Sequence, residues 1–284
     1  MINYFAGGAR YVSTNGKMYG LGYRLINNHL ISWVDQSELK LREDYFNKKS
    51  NVLIDSGAFT AFTKGKKIDI YEYSKFIKSY TLTWKKKTQS INFINLDVIG
   101  DAEKSWENQH KLEKLNVNTI PVIHHEGFKK KHLEKAYKEY DYFAVGGLVG
   151  KKRTQILMFL DYCFRHIFTY VKKGNKLPKI HLLGVASGKI LYRYPAFSCD
   201  STTFMKVNKF GSSDYLKIQG LPRTGKKSYL KYKNKKKDDY NQENDQQLLN
   251  KIMKKEIQAI QKQEFEITKF WKKKGIIFNE QISN

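Results

Sequence analysis

Cysteine is nearly absent: Cys163 and Cys199 are the two in 284 residues, and no His/Cys cluster at metal-ligand spacing accompanies them. That argues against a disulfide framework and a structural zinc site. Long apolar runs are missing as well. No stretch approaches the ~20 residues that span a bilayer, and the start, MINYFAGGAR, lacks the charge and apolar run of a signal peptide. The expectation is a soluble, cytoplasmic chain with no membrane partner. No Pro/Ser/Gly-rich linker interrupts the first 220 residues and no internal repeat is visible, so one domain with a full core is expected there. Acid is scarce: 27 Asp and Glu stand against 52 Lys and Arg, a formal net charge of +25. Such an excess favours a polyanionic partner over an acidic small molecule. Lys, Asn, Ile, Tyr and Phe are also the residues an AT-rich genome encodes, so charge alone leaves nucleic acid and mutational bias both open.

What the chain does contain is a series of eight short β-rich runs, at 2–8, 29–33, 51–57, 91–97, 119–125, 142–147, 179–185 and 196–201. Several are almost continuously apolar until their last residues, as strands buried on both faces are. Between most of them lie stretches of helix-forming residues with apolar positions three and four apart, at 36–48, 71–84, 102–115, 128–140 and 152–173. Eight strands with interleaved helices predict an α/β fold, a TIM-like (β/α)8 barrel, with irregular connections after the first and seventh strands. This barrel is expected over 1–220. Residues 221–284 are expected to form a basic segment followed by an amphipathic helix that packs on the barrel. Segment 223–237 holds eight basic residues and no acid, with Tyr229 and Tyr232 interleaved. It reads equally as a phosphate-binding arm or as a solvated linker. In the helix, over about 242–274, Leu249, Met253, Ile257, Ile260, Ile267 and Trp271 fall near one stripe.

Polar and glycine residues gather where the β-rich runs end: Asp55-Ser56-Gly57, Asp97, His124-His125, Gly146-Gly147 and Asp200-Ser201. In a parallel β/α barrel the C-terminal ends of the strands carry the active site, so these residues are expected to converge. Asp55 follows an apolar strand, where partial burial raises a carboxyl pKa and suits a general acid/base. The same position suits a turn or capping aspartate. Asp200 is in an equivalent place. A pair of carboxylates in one pocket is what glycosyl transfer needs: one attacks the anomeric carbon and the other manages the leaving group's proton. A carboxylate at Asp97 can accept from both N1–H and the N2 amine of guanine. Gly146 and Gly147 allow close backbone approach to a flat ligand, and Phe59 can stack on its face. Each also has an ordinary reading, as cap, turn or core. Strand alternation sends one of His124 and His125 inward and the other outward. One of them with Asp97 and Asp200 is a weak metal-site candidate, so no metal and no cofactor is expected.

Together these segments resemble the tRNA-guanine transglycosylase superfamily, including its archaeosine branch and the members that install 7-deazaguanines in DNA. The match runs in order over most of 50–212. LIDSGAF is similar to the family's Asp-Ser-Gly-Gly-aromatic motif, which implies Asp55 as general acid/base and Phe59 as the stacking aromatic. NLD resembles the strand end whose Asp reads the guanine edge, here Asp97. PVIHHEG resembles the segment with a base-contacting Gln, a place taken by His124. FAVGGLVG is similar to the segment whose backbone holds the base, implying Gly146, Gly147 and Leu148. HLLGVAS places Leu183 where a Met packs on the base, and CDSTTF resembles the nucleophile motif, implying Asp200. The tRNA enzymes carry three closely spaced cysteines and a histidine for zinc after the nucleophile, and no cysteine follows Cys199 here. An appended RNA-binding domain is not expected either. The resemblance therefore implies exchange of guanine for a 7-deazaguanine such as preQ0, with DNA favoured over tRNA as the polymer. Such DNA-acting relatives occur in bacteriophages and bacterial modification clusters, and a phage-encoded protein would act in the host cytoplasm.

Overall fold

The computed structural model describes residues 1–7, 11–12, 18–19, 24–63, 65, 67–202 and 242–277. The basic segment 223–237 lies outside the described residues, as do the side chains of Leu249 and Met253. Among the described residues there are ten strands: β1 (Ile2–Ala6), β2 (Tyr11–Val12), β3 (Met18–Tyr19), β4 (Asn28–Ser32), β5 (Asn51–Asp55), β6 (Ser90–Phe93), β7 (Val122–His124), β8 (Tyr142–Gly146), β9 (Lys179–Leu182) and β10 (Ser198–Ser201). β2 and β3 pair antiparallel, apart from the rest, within the connection after β1 that the sequence leaves irregular.

The other eight strands form one curled, all-parallel sheet in the order β6-β5-β4-β1-β10-β9-β8-β7. Each strand neighbours the next one in the chain, and the first pairs with the last, with Tyr4 opposite Asp200. This is a TIM-like α/β arrangement. Its two edges, β6 and β7, meet through a single bridge between Ile94 and Ile120, so no continuous ladder closes the sheet. Ile120 N–H donates to the Phe93 carbonyl at 2.7 Å and Asn95 N–H donates to the Ile120 carbonyl at 3.0 Å. The predicted run 91–97 is thus shorter as a strand, because Asn95 turns to this bridge.

Helices α1 (Gln36–Glu43), α2 (Ala58–Thr63), α3 (Ile70–Trp84), α4 (Ala102–Lys114), α5 (Lys130–Glu139), α6 (Arg153–Val171) and α7 (Gly188–Leu191) connect the strands, and α8 (Gln242–Lys273) ends the described chain. Several start where the sequence provides a cap: Asp69 accepts from the N–H groups of Tyr71 and Glu72, and Asp101 from that of Lys104. Strand alternation makes two cores. Tyr4, Leu30, Leu53, Ile94, Val122 and Ala144 fill the inside of the curl, while Val52, Ile54, Phe143, Val145 and Ile180 face the helices.

No helix is described between β1 and β4, and the outer side of β1 is covered by α8 instead. Ile257 packs with Phe5 and Ile26, and Trp271 donates from Nε1 to the Leu191 carbonyl at 2.8 Å. Glu264 accepts from Asn3 N–H and from Asn28 Nδ2, and the Met1 ammonium donates to Thr268 Oγ1. At the opposite end of β1, the buried Arg42 guanidinium pairs with Glu38. It also donates to the carbonyls of Phe5, Gly7 and Leu30, tying the C-terminal ends of β1 and β4 together. A buried cation is tolerable only with such full pairing. Among the described residues no helix is long and apolar enough to cross a membrane.

Candidate active site

Alternation from the inner core fixes which end residues face inward. Leu53 is an inner residue, so Asp55 two positions on is too; the same step leads from Val122 to His124, from Ala144 to Gly146 and from Ser198 to Asp200. The sequence expectation that one histidine of the 124–125 pair points inward is met by His124. His125 turns outward and meets the Phe159 ring edge-on at 5.0 Å.

Asp55 ends β5 and its carboxylate accepts from Gly57 N–H at 3.2 Å. Gly57 is required there: its φ is +82°, and a Cβ would lie 2.5 Å from Ser32 Oγ. Burial raises the Asp55 pKa from 3.8 to about 7, with the charges of Asp97 and Asp200 adding to the rise against the opposing Gly57 and Ser56 backbone bonds. The Asp55 carboxyl thus lies in the field of the other two aspartates. A carboxyl that titrates near 7 can carry a proton at neutral pH and give it up.

Asp97 follows β6 and is buried. Its Oδ1 accepts from Ser56 Oγ at 3.2 Å, and its Oδ2 lies 2.9 Å from His124 Nε2. The imidazole N–H does not align with that oxygen as a hydrogen bond, so among the described residues His124 Nε2 is a buried polar atom without one. Asp200, also buried, is gripped by one oxygen: Oδ1 accepts from Gly184 N–H at 2.6 Å and lies 3.3 Å from His181 Nε2.

Gly146 provides an inner wall without a side chain. A Cβ on it would press to 3.0 Å from Leu183 Cδ1 and 3.1 Å from Val122 Cγ1, so any larger residue would crowd Leu183 and Val122. Gly147 and Leu148 follow directly. The Leu148 side chain is buried in the outer core with Ile123 and Val145, leaving only its backbone available at the strand end. Phe59 is not brought in with the others: on the first turn of α2 it stands 60% exposed at the rim.

The structure therefore gathers Asp55, Asp97, His124, Gly146, Leu183 and Asp200 at the C-terminal end of the curl. Ser56, named with Asp55 at the same strand end, joins them through Asp97, and the structure adds two residues that the sequence reading did not single out: His181 and Gly184. His181 had a signal, since it is the polar residue within an apolar strand and lies two positions before the inward Leu183. Among the described residues, no three His, Cys, Asp or Glu side chains form a metal-binding group. A separate cavity of about 1090 Å³ opens at the other end of the strands, lined by Tyr4, Asn51, Ser90, Gln109, Tyr142 and Lys179 among others. It contains none of the three aspartates.

No family model matches the sequence. A curated relative, uncharacterized protein 306 of Sulfolobus islandicus rod-shaped virus 1, is 24% identical over 183 residues, which is 60% of this chain. The match covers 55% of that viral protein, so the chain spans about half the length of the curated relative to which it is similar.

Proposed function

We propose that the chain is a base-exchange transglycosylase that replaces guanine in DNA with a 7-deazaguanine, on a TIM-like (β/α)8 barrel whose seam lies between β6 and β7. The observation that carries this reading is the pairing of unlike carboxylates. Asp55 is poised to hold a proton near pH 7, in the field of an Asp200 fixed through one oxygen. Glycosyl exchange needs such a pair, one acid and one nucleophile.

A guanosine turned out of its stack enters the mouth. Asp97 accepts from the N1–H and N2 amine of the base, His124 lies beside the same edge, and the backbone of Gly146, Gly147 and Leu148 supports the ring. Leu183 packs on its face, and Phe59 stacks over it once the rim closes. Asp200 then forms a bond to C1′ as the C1′–N9 bond breaks, and Asp55 gives its proton to the departing guanine. In the second half-reaction N9 of the incoming 7-deazaguanine, preQ0 or a derivative, bonds to C1′. The Asp200 ester breaks, and Asp55 takes the N9 proton, so the enzyme returns to its starting state. The net charge of +25 supports a polyanionic substrate. The absence of cysteine after Cys199 favours DNA over tRNA, which is the alternative polymer.

Labelled guanine offered with DNA, with tRNA and with no polymer tests the proposal. Label should enter DNA. Label in tRNA would reassign the polymer, and label in neither would refute the activity, leaving a nucleic-acid-binding barrel.

A further inference from the structure

The interior of the curl contains a line of polar groups that the exchange reaction as described does not use. The Tyr142 hydroxyl, at the start of β8, is 2.6 Å from Ser198 Oγ on β10. The same Ser198 Oγ is 2.7 Å from His181 Nδ1 on β9. His181 and Ser198 are both fully buried, and the His181 ring meets Tyr4 edge-on at 5.9 Å. His181 Nε2 has no hydrogen bond among the described residues, and it lies 3.3 Å from Asp200 Oδ1. The line starts at Tyr142, on the wall of the cavity at the N-terminal end of the strands, and stops at the carboxylate at the C-terminal mouth.

We propose that His181 is a positioning residue for Asp200, held as its Nε2–H tautomer by Ser198 and Tyr142, so that Asp200 Oδ1 is fixed and Oδ2 faces the pocket. The polarity follows from the end of the line. A carboxylate accepts only, so the group facing it must donate, and a buried ring N–H without an acceptor costs about 1–3 kcal/mol. In the tautomer with its proton on Nε2, Nδ1 accepts, and Ser198 must donate to it. Ser198 Oγ then has its lone pairs available for the Tyr142 hydroxyl. One direction of donation therefore runs along the line, from Tyr142 to Ser198 and from Ser198 to His181, and it leaves the His181 Nε2–H facing Asp200 Oδ1 at 3.3 Å. Gly184 N–H adds a second donor to the same Oδ1 at 2.6 Å. Among the described residues Oδ2 receives no hydrogen bond, which leaves it as the oxygen that bonds to C1′. Ordinary packing does not call for this arrangement. An apolar residue at 181 would fill the inner layer beside Tyr4 without burying two ring nitrogens.

The inference rests on the transglycosylase reading for the role of Oδ2, but the tautomer is measurable without any activity. The full chain labelled with 15N-histidine is studied by NMR, with His181→Gln to assign the ring signals. In the wild type, Nε2 of His181 should carry the proton; in Ser198→Ala the ring should lose that preference, and Tyr142→Phe should weaken it. A wild-type ring protonated on Nδ1, or one unmoved by Ser198→Ala, overturns the proposal. In base exchange, Ser198→Ala should lower kcat about 10–100-fold with KM within about twofold, as loss of a group that orients another does. Tyr142→Phe should move kcat the same way by less, and serves if Ser198→Ala folds poorly. Unchanged kcat in both variants refutes the positioning role. If the wild type exchanges no base, the activity reading fails, and the tautomer alone decides the line of donors.

Discussion

The two ends of the curled sheet differ in a way that separates space from chemistry. The N-terminal end opens into a cavity of about 1090 Å³, lined by amides, hydroxyls, lysines and apolar side chains, with Glu113, Glu139 and Asp141 among them. It lies beside the seam where β6 and β7 share a single bridge, so missing strand pairing is a sufficient reason for the space. The C-terminal end brings together three mutually repelling carboxylates, which a fold does not assemble for stability. Asp55 is pushed up to about 7 there, by burial first and by Asp97 and Asp200 next. A perturbed acid at the meeting point of several strands is a better marker of a reaction site than volume.

The largest expected effect breaks that comparison if it fails. Asp200→Asn should abolish base exchange and the covalent intermediate, while Asn92→Ala and Gln89→Ala on the lining of the other cavity leave both within about twofold. Steady-state label exchange with each variant measures this. A wild-type rate for Asp200→Asn, or loss of activity from the two lining variants, would reverse the roles of the two ends.

Next in size is the proton. Asp55→Asn should spare DNA binding and lower exchange by about 10²–10⁴-fold. In the wild type the acid form of Asp55 falls away above about 7, so the half-reaction that expels guanine should slow with rising pH through that value. The sign for stability is the opposite of a paired carboxylate's. The folded pKa is raised above 3.8, so the folded state binds more protons, and stability declines as pH rises from about 4 to about 7. Asp55→Asn removes the buried charge and should stabilise the protein at pH 8 by more than about 1 kcal/mol. Denaturant titrations at pH 5 and pH 8 decide this; an equal stability change at both would contradict the buried-acid account.

Much of this was legible because period-two alternation and strand ends are local properties. Asp55, His124 and Asp200 could be placed inward from their own strands, and apolar spacing over 71–84 and 102–115 marks helices α3 and α4. What was hidden depends on neighbours far away in sequence. His181 lies in a short apolar run, and its importance comes from Ser198 and Asp200 on the adjacent strand. α2 has six residues and follows a glycine turn, too short for a helical period to register. Leu148 was readable as part of a glycine-rich strand end, but its side chain belongs to the outer core. The exposed Phe59 shows that a motif can fix a residue's position at a rim without fixing how far it folds over. The single bridge at the β6–β7 seam left no mark in either strand.

A smaller effect sharpens the contrast between pocket and surface. Replacing Lys226, Lys227, Lys231, Lys233, Lys235, Lys236 and Lys237 with neutral residues should weaken binding to all DNA sequences alike. It should also flatten the salt dependence by about one log–log unit per lost phosphate contact. Turnover at saturating DNA should persist, because the acids lie elsewhere. Binding isotherms across salt concentrations test this, and an unchanged slope would leave the rim of the mouth as the binding surface.

The most direct measurement traps the intermediate. DNA and enzyme are mixed without an incoming base, denatured during turnover, and digested for mass spectrometry. A sugar-linked adduct on Asp200, absent from Asp200→Asn and discharged when a 7-deazaguanine is added before denaturation, is the result predicted here. Exchange of labelled guanine with no adduct, or an adduct on Asp55 or Asp97, would contradict the account.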